Sequence, residues 1–165
     1  SSGNPLAMQT TRWQVSDLGG GRRFVAPVAA CAYPNGGSGP YSRSDYTYDG
    51  YGNLTRIAQH GDATRSGDEV TLERQYVYNT ARWIVDRAAT ESLIAADGAT
   101  VRQTRTAYDG QPWGAPPITG SLTAMVSGLD GWGWVTTTTQ YDPLGNPVAA
   151  TDPLGRVTRT GYDPL

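Results

Sequence analysis

A chain of 165 residues with a formal charge of -2 has room for one ordinary domain and no basic surplus with which to grip nucleic acid. Leu, Ile, Val and Phe number only 26 together, against 21 Gly, 20 Thr, 11 Pro, 10 Tyr and 5 Trp, so short strands joined by tight turns are expected and a helical bundle is not. All thirteen basic residues are Arg, which removes lysine chemistry; the single cysteine rules out an internal disulfide, and no apolar run approaches the ~18 residues of a membrane-spanning helix.

The chain opens on Ser-Ser-Gly without a signal-like apolar stretch and reads as a piece of something longer. Residues 1–44 are expected to form an irregular lead-in with edge strands and a Gly/Pro-rich loop. Within it, 22–28 reads as an edge strand whose pairing Pro27 limits, and 33–40 as a loop. Residues 44–48 and 54–59 flank Asp49-Gly50-Tyr51-Gly52 as a hairpin. Further strands are predicted over 70–78, 83–86 and 101–108. Residues 88–96 have helical composition, but their strand neighbours favour a strand running into an Asp97-Gly98 turn, and 113–120 reads as an extended loop. The clearest strand is 134–141, where alternation puts Val135, Thr137, Thr139 and Tyr141 on one face; 146–151 and 156–162 follow it.

The corners repeat. Tyr141-Asp142-Pro143-Leu144-Gly145-Asn146 is followed by Asp152-Pro153-Leu154-Gly155-Arg156 and then Tyr162-Asp163-Pro164-Leu165. Tyr48-Asp49-Gly50-Tyr51-Gly52-Asn53 has the same layout, Tyr108-Asp109-Gly110 copies its opening, and Tyr76-Val77-Tyr78-Asn79 is a worn copy. Asp suits the first corner because its carboxylate accepts a backbone N–H two residues on; Pro fixes φ at the second, and Gly takes the last. The order Tyr141, Asp142, Gly145, Asn146, Asp152, Gly155, Tyr162, Asp163 resembles the Rhs/YD-repeat family, and with the partial copies at Tyr48, Asp49, Gly52, Asn53, Tyr108 and Asp109 the likeness covers roughly residues 45–165. These fourteen positions are the expected structural signature.

The resemblance implies an all-β fold of antiparallel hairpins in a curved strip, a fragment of a larger shell similar to those of insecticidal toxin complex BC components and teneurins. It implies a large secreted or cell-surface bacterial protein whose shell encloses or scaffolds a C-terminal toxin or variable domain, with neighbouring repeats of the parent chain and that domain as partners. Such hairpins bury each other's side faces only when stacked, so isolated 1–165 is expected to be marginally stable or self-associating.

No constellation of catalytic residues emerges, and no cofactor, metal or nucleic-acid partner is expected. His60, the only histidine, lies in Gln59-His60-Gly61-Asp62 and reads as an exposed turn residue; Cys31 lacks a companion cysteine or a nearby histidine for zinc or thiol catalysis. Nine of the twelve Asp adjoin Gly or Pro, which turn formation explains, and no EF-hand loop occurs. Asn53-Leu54-Thr55 is a glycosylation sequon, but Asn53 is already the repeat's Asn. Arg22, Arg23, Arg102 and Arg105 are expected to pair with Asp or lie on tyrosine faces. The tryptophans are the rival signal. Trp13, Trp83, Trp113, Trp132 and Trp134 are expected to supply the missing core, with surface-glycan contacts through Trp132 and Trp134, as in a carbohydrate-binding module, the alternative.

Overall fold

A computed structural model describes residues 7–129 and 133–163. Eleven strands hydrogen-bond in chain order in one sheet: β1 (Met8–Asp17), β2 (Arg23–Tyr33), β3 (Ser42–Tyr48), β4 (Leu54–Asp62), β5 (Val70–Asn79), β6 (Ile84–Ala95), β7 (Thr100–Tyr108), β8 (Leu122–Leu129), β9 (Gly133–Tyr141), β10 (Pro147–Thr151) and β11 (Val157–Arg159). A single 3-10 turn, Thr80–Arg82, is the only helical element among the described residues. The all-β reading of the sequence therefore holds. Pairing is antiparallel from β1 through β5 and from β7 through β11, as hairpins joined end to end require.

Two compact units divide the chain, Ser1–Glu73 with Leu93–Thr100 and Arg74–Ser92 with Val101–Leu165. In the first, the edge strand expected over 22–28 is the opening of β2, which there pairs with β1, while Ala29–Ala32 pair with β3 as well. Pro27 is accommodated because the register slips between Arg12 and Trp13, so that Trp13 faces Pro27 and Val28 is the extra residue of a bulge. Phe24 packs edge-on against Tyr48, with centroids 5.4 Å apart at 72°, and Tyr33 stacks on Tyr41 at 5.0 Å. Ala26, Ala29 and Ala58 are its buried residues.

In the second unit Ala107, Tyr108, Pro117 and Gly128 are buried. Pro117 belongs to the 110–121 connection, which the sequence presented as an extended loop and which instead folds into an ordered cap. Asn79 donates Nδ2 to the Pro117 carbonyl at 2.7 Å, and Arg82 and Arg87 donate to the carbonyls of Ile118 (2.9 Å) and Gly120 (3.1 Å). Across β5, β6 and β7, Glu91 takes Arg74 at 2.7 Å and Arg102 at 3.7 Å.

The expectation that tryptophan supplies the core is overturned. Trp13, Trp83, Trp113 and Trp134 are 59%, 70%, 47% and 54% exposed, and Trp132 lies outside the described residues. These four rings stand at the surface, and strand contacts among the described residues run between sequence neighbours. Small alanines and hydrogen-bonded tyrosines fill the tight places between neighbouring strands instead.

Candidate functional site

The Tyr-Asp corners are where sequence and geometry meet most closely. At Asp142 the backbone N–H donates to the Asn146 carbonyl at 2.9 Å, and the Gly145 N–H donates to the Asp142 carbonyl at 3.0 Å. Gly145 closes the loop with φ of +86°, a left-handed conformation that glycine reaches without a Cβ clash, as in three-residue hairpin loops. Residues 49–53 and 152–156 repeat both bonds at 3.0 and 3.2 Å and at 3.0 and 3.0 Å. Pro143 and Pro153 sit where neither bond needs an N–H.

The carboxylate organises each corner from inside. Asp142 Oδ1 accepts the amides of Leu144 (2.9 Å) and Asn146 (2.8 Å), and Oδ2 accepts the Asn146 carboxamide (3.0 Å). Asp49 repeats this with Tyr51, Asn53 and the Asn53 carboxamide at 2.9, 2.8 and 2.8 Å. At Asp152, Arg156 stands in for the asparagine: its amide donates to Oδ1 at 2.9 Å and its Nε to Oδ2 at 2.5 Å. The Asn146 side chain and then its amide hold the Asp142 carboxyl below its ordinary range; the Arg156 amide, outweighing some burial, does the same for Asp152.

Where a tyrosine precedes the aspartate, as it does at these corners except at Asp152, which follows Thr151, the ring fastens the corner to the preceding strand. Tyr48, Tyr108, Tyr141 and Tyr162 donate their hydroxyls to the carbonyls of Pro27 (3.0 Å), Ala88 (2.8 Å), Leu122 (2.9 Å) and Pro147 (3.0 Å). The Tyr-Asp pair is thus one device, with the ring bridging strands and the carboxylate shaping the turn. Asp163 is exposed.

The worn copies keep the device and change its length. Asp109 N–H donates to Ser121 O at 2.8 Å, and Ser121 N–H returns to Asp109 Oδ1 at 2.9 Å, the same closure after twelve residues instead of four. The intervening loop is tied to the same carboxylate through the amides of Ile118 (2.6 Å), Thr119 (3.0 Å) and Gly120 (2.9 Å) and through the Thr119 hydroxyl. Partial burial pushes the Asp109 carboxyl up, but these donors outweigh it and hold it far below the usual carboxylate range. Between this corner and the next lies a cleft of about 720 Å³ walled by Thr119, Ser121, Thr123, Gln140 and Tyr141. Asn79 stands where another copy has Asp, accepting the Arg82 amide at 3.1 Å, and Trp83 closes that turn with φ of +55°. The Asp97-Gly98 turn expected after 88–96 is a corner of a different make: Ala95 and Ala99 close a loop through Gly98, with Asp97 rather than a leading Asp accepting the Ala99 amide at 2.9 Å.

His60 is not in a turn. β4 continues through it to Asp62, the register slipping between Ser42 and Ser44, and its Nε2 lies 2.7 Å from Asp45 Oδ2. Arg43 holds the other oxygen of Asp45 at 2.9 Å. Burial raises the Asp45 carboxyl, but Arg43 and then His60 bring it below its ordinary range. Cys31 is a free, half-buried thiol opposite Arg43 on the neighbouring strand. No group of His, Cys, Asp and Glu able to hold a metal ion occurs among the described residues. Arg105 lies over the Trp134 ring at 5.1 Å rather than on a tyrosine, and Trp134 rests against Gly128, where a Cβ would come within 2.8 Å of the ring.

A sheet built of consecutive hairpins, with a tyrosine–aspartate device at their corners, defines a β-hairpin repeat protein. Residues 141–165, which include the corners at Asp142 and Asp152, match the family model of the RHS Repeat, which supports an Rhs/YD repeat over that stretch. No curated protein matches the chain. Repeats of this family are structural and occur in extracellular or surface proteins; no helix among the described residues is long and apolar enough to cross a membrane.

Proposed function

We propose that this chain is a non-enzymatic segment of an Rhs-type shell that encapsulates or scaffolds a C-terminal toxin or variable domain of a large secreted or surface bacterial protein. Residues 45–165 are the hairpin strip and 1–44 lead into it, with neighbouring repeats of the parent chain as partners. The supporting observation is the pair of corners at Asp142 and Asp152 inside the family match, each shaping its turn through one carboxylate. A carboxylate whose lone pairs are engaged by the amides of its own turn is a scaffold group, unsuited to general-base work. Limited proteolysis of the full parent protein tests the reading. A C-terminal region protected in the whole protein and cut when expressed alone is expected; equal cutting in both would overturn it.

One observation favours a second reading, surface-glycan contact through Trp134 and its neighbour Trp132. The Trp134 ring lies against a backbone bared by Gly128 and remains half exposed, with the Arg105 guanidinium over the ring, so that a sugar would stack on its exposed part or take the guanidinium's place. A glycan array followed by fluorescence titration of Trp134→Ala against the parent chain separates the two readings: no sugar bound by either removes this one.

A further inference from the structure

The described asparagines fall into two groups. Asn53 and Asn146 donate their carboxamides to Asp49 and Asp142 at 2.8 and 3.0 Å, and Asn79 donates its own to the Pro117 carbonyl at 2.7 Å. Asn35, in the connection from β2 to β3, has no such tether among the described residues. Its bonds run through its backbone carbonyl, which accepts the Ser38 amide at 3.4 Å and the Ser38 hydroxyl at 3.1 Å. The residue is exposed and is followed by Gly36, whose missing side chain leaves the amide nitrogen uncrowded.

We propose that Asn35–Gly36 is a site of spontaneous deamidation. The Gly36 amide nitrogen gives its proton to solvent base and attacks Cγ of Asn35; the bond from Cγ to Nδ2 breaks and ammonia leaves, taking up a proton. The product is a five-membered succinimide. Water, the only co-reactant, then opens one of the two ring C–N bonds, leaving aspartate or an isoaspartate whose main chain runs through the side-chain carbon. The other asparagines resist for separate reasons. Asn146 precedes Pro147, which has no amide hydrogen to lose, while Asn53 and Asn79 precede Leu54 and Thr80 and have their carboxamides held away from the attacking nitrogen.

The modification changes a defined place. The connection borders a cleft of about 690 Å³ lined by Met8, Tyr33, Pro34, Pro40 and Tyr41. Either product puts a negative charge beside this apolar wall, and isoaspartate also lengthens the β2–β3 connection by one main-chain atom.

The test is incubation of the whole chain in mildly alkaline buffer, with peptide mapping by mass spectrometry at intervals. Amide-to-acid conversion at Asn35, faster at higher pH and outrunning Asn53, Asn79 and Asn146 several-fold, is the expected result. Gly36→Ala is expected to slow it several-fold. Asn35→Gln, which leaves the turn backbone unaltered, is expected to remove the modified peptide. An intact Asn35, or conversion no faster there than at Asn53 and Asn79, overturns the proposal.

Discussion

The corner at Asp142 and the corner at Asp109 solve the same problem at different lengths. The first returns the chain in four residues through Pro143 and a left-handed Gly145; the second takes twelve and carries a cap with Pro117 buried beneath it. Common to both are the backbone closure, the Oδ1 bond to the closing residue's amide and the tyrosine hydroxyl on the preceding strand. The repeat is therefore defined by its closure and tolerates insertion within it. Tolerance follows because the aspartate supplies acceptors to whichever amides the loop presents, two in the short corner and four in the long one. Loop length itself adds little cost once the ends are held.

The sharpest way to break this comparison is to remove the two carboxylates separately. Asp109→Ala leaves four amides of the cap without their shared acceptor and is expected to cost about 3 kcal/mol in urea unfolding. Asp142→Ala, at a shorter and more exposed corner, is expected to cost clearly less. Equal losses would mean that the long loop is held by Asn79, Arg82 and Arg87 rather than by Asp109.

Acid titration addresses the corners together. Asp45, Asp62, Asp109, Asp142 and Asp152 are all held below their ordinary value of 3.8 in the folded chain. A depressed folded value means that the stabilisation is fully present above the unfolded value and is lost as pH falls through the folded one. Thermal melts are therefore expected to be flat above about pH 5 and to drop steadily below about pH 4, with Asp109→Ala showing a shallower drop than the parent. A drop of undiminished depth in the variant would locate the acid sensitivity elsewhere.

The hydroxyls sharpen the comparison further. Tyr108→Phe removes a buried hydroxyl donor from the Ala88 carbonyl, which keeps the Thr106 hydroxyl, and is expected to cost about 1 kcal/mol, whereas Tyr162→Phe, at an exposed position, is expected to leave the melting curve unchanged. The smallest effect belongs to the worn turn at Asn79. Trp83 takes a left-handed conformation there, as glycine does in the regular corners, so Trp83→Gly is expected to stabilise by about 0.5 kcal/mol after the entropy cost of the added glycine. A loss of stability would show that the indole's contacts outweigh the strain.

How far the sequence could be read follows the same division. β9, β10 and β11 were legible because each corner spells out its own chemistry, Asp for the amides and Gly for the left-handed position. β1 and β8 were not. Met8–Asp17 is mostly exposed and mixes polar with apolar types, while Leu122–Leu129 contains Ala124, Met125, Ser127 and Gly128, which do not favour strands by themselves. Pairing on both sides by β7 and β9 imposes the extended state on β8, a tertiary effect that composition does not carry. The tyrosine hydroxyl bonds were illegible too, because they depend on which carbonyl the neighbouring register places opposite the ring. His60 was misread because Gln-His-Gly-Asp has turn composition, whereas the bulge opposite Ser42 and Ser44 lets the strand run through it. The tryptophans were misread because an apolar tally assigns large rings to the interior, whereas the described ones stand at the surface and small residues such as Ala26, Ala58 and Ala107 are buried.

The chain order of the strands also governs how such a chain comes into being. Each strand finds its partner a short distance back along the polypeptide, so little closure entropy must be spent before the first contacts form. A strip of this kind can grow in the order of its synthesis, each newly emerged turn docking onto the last completed ladder.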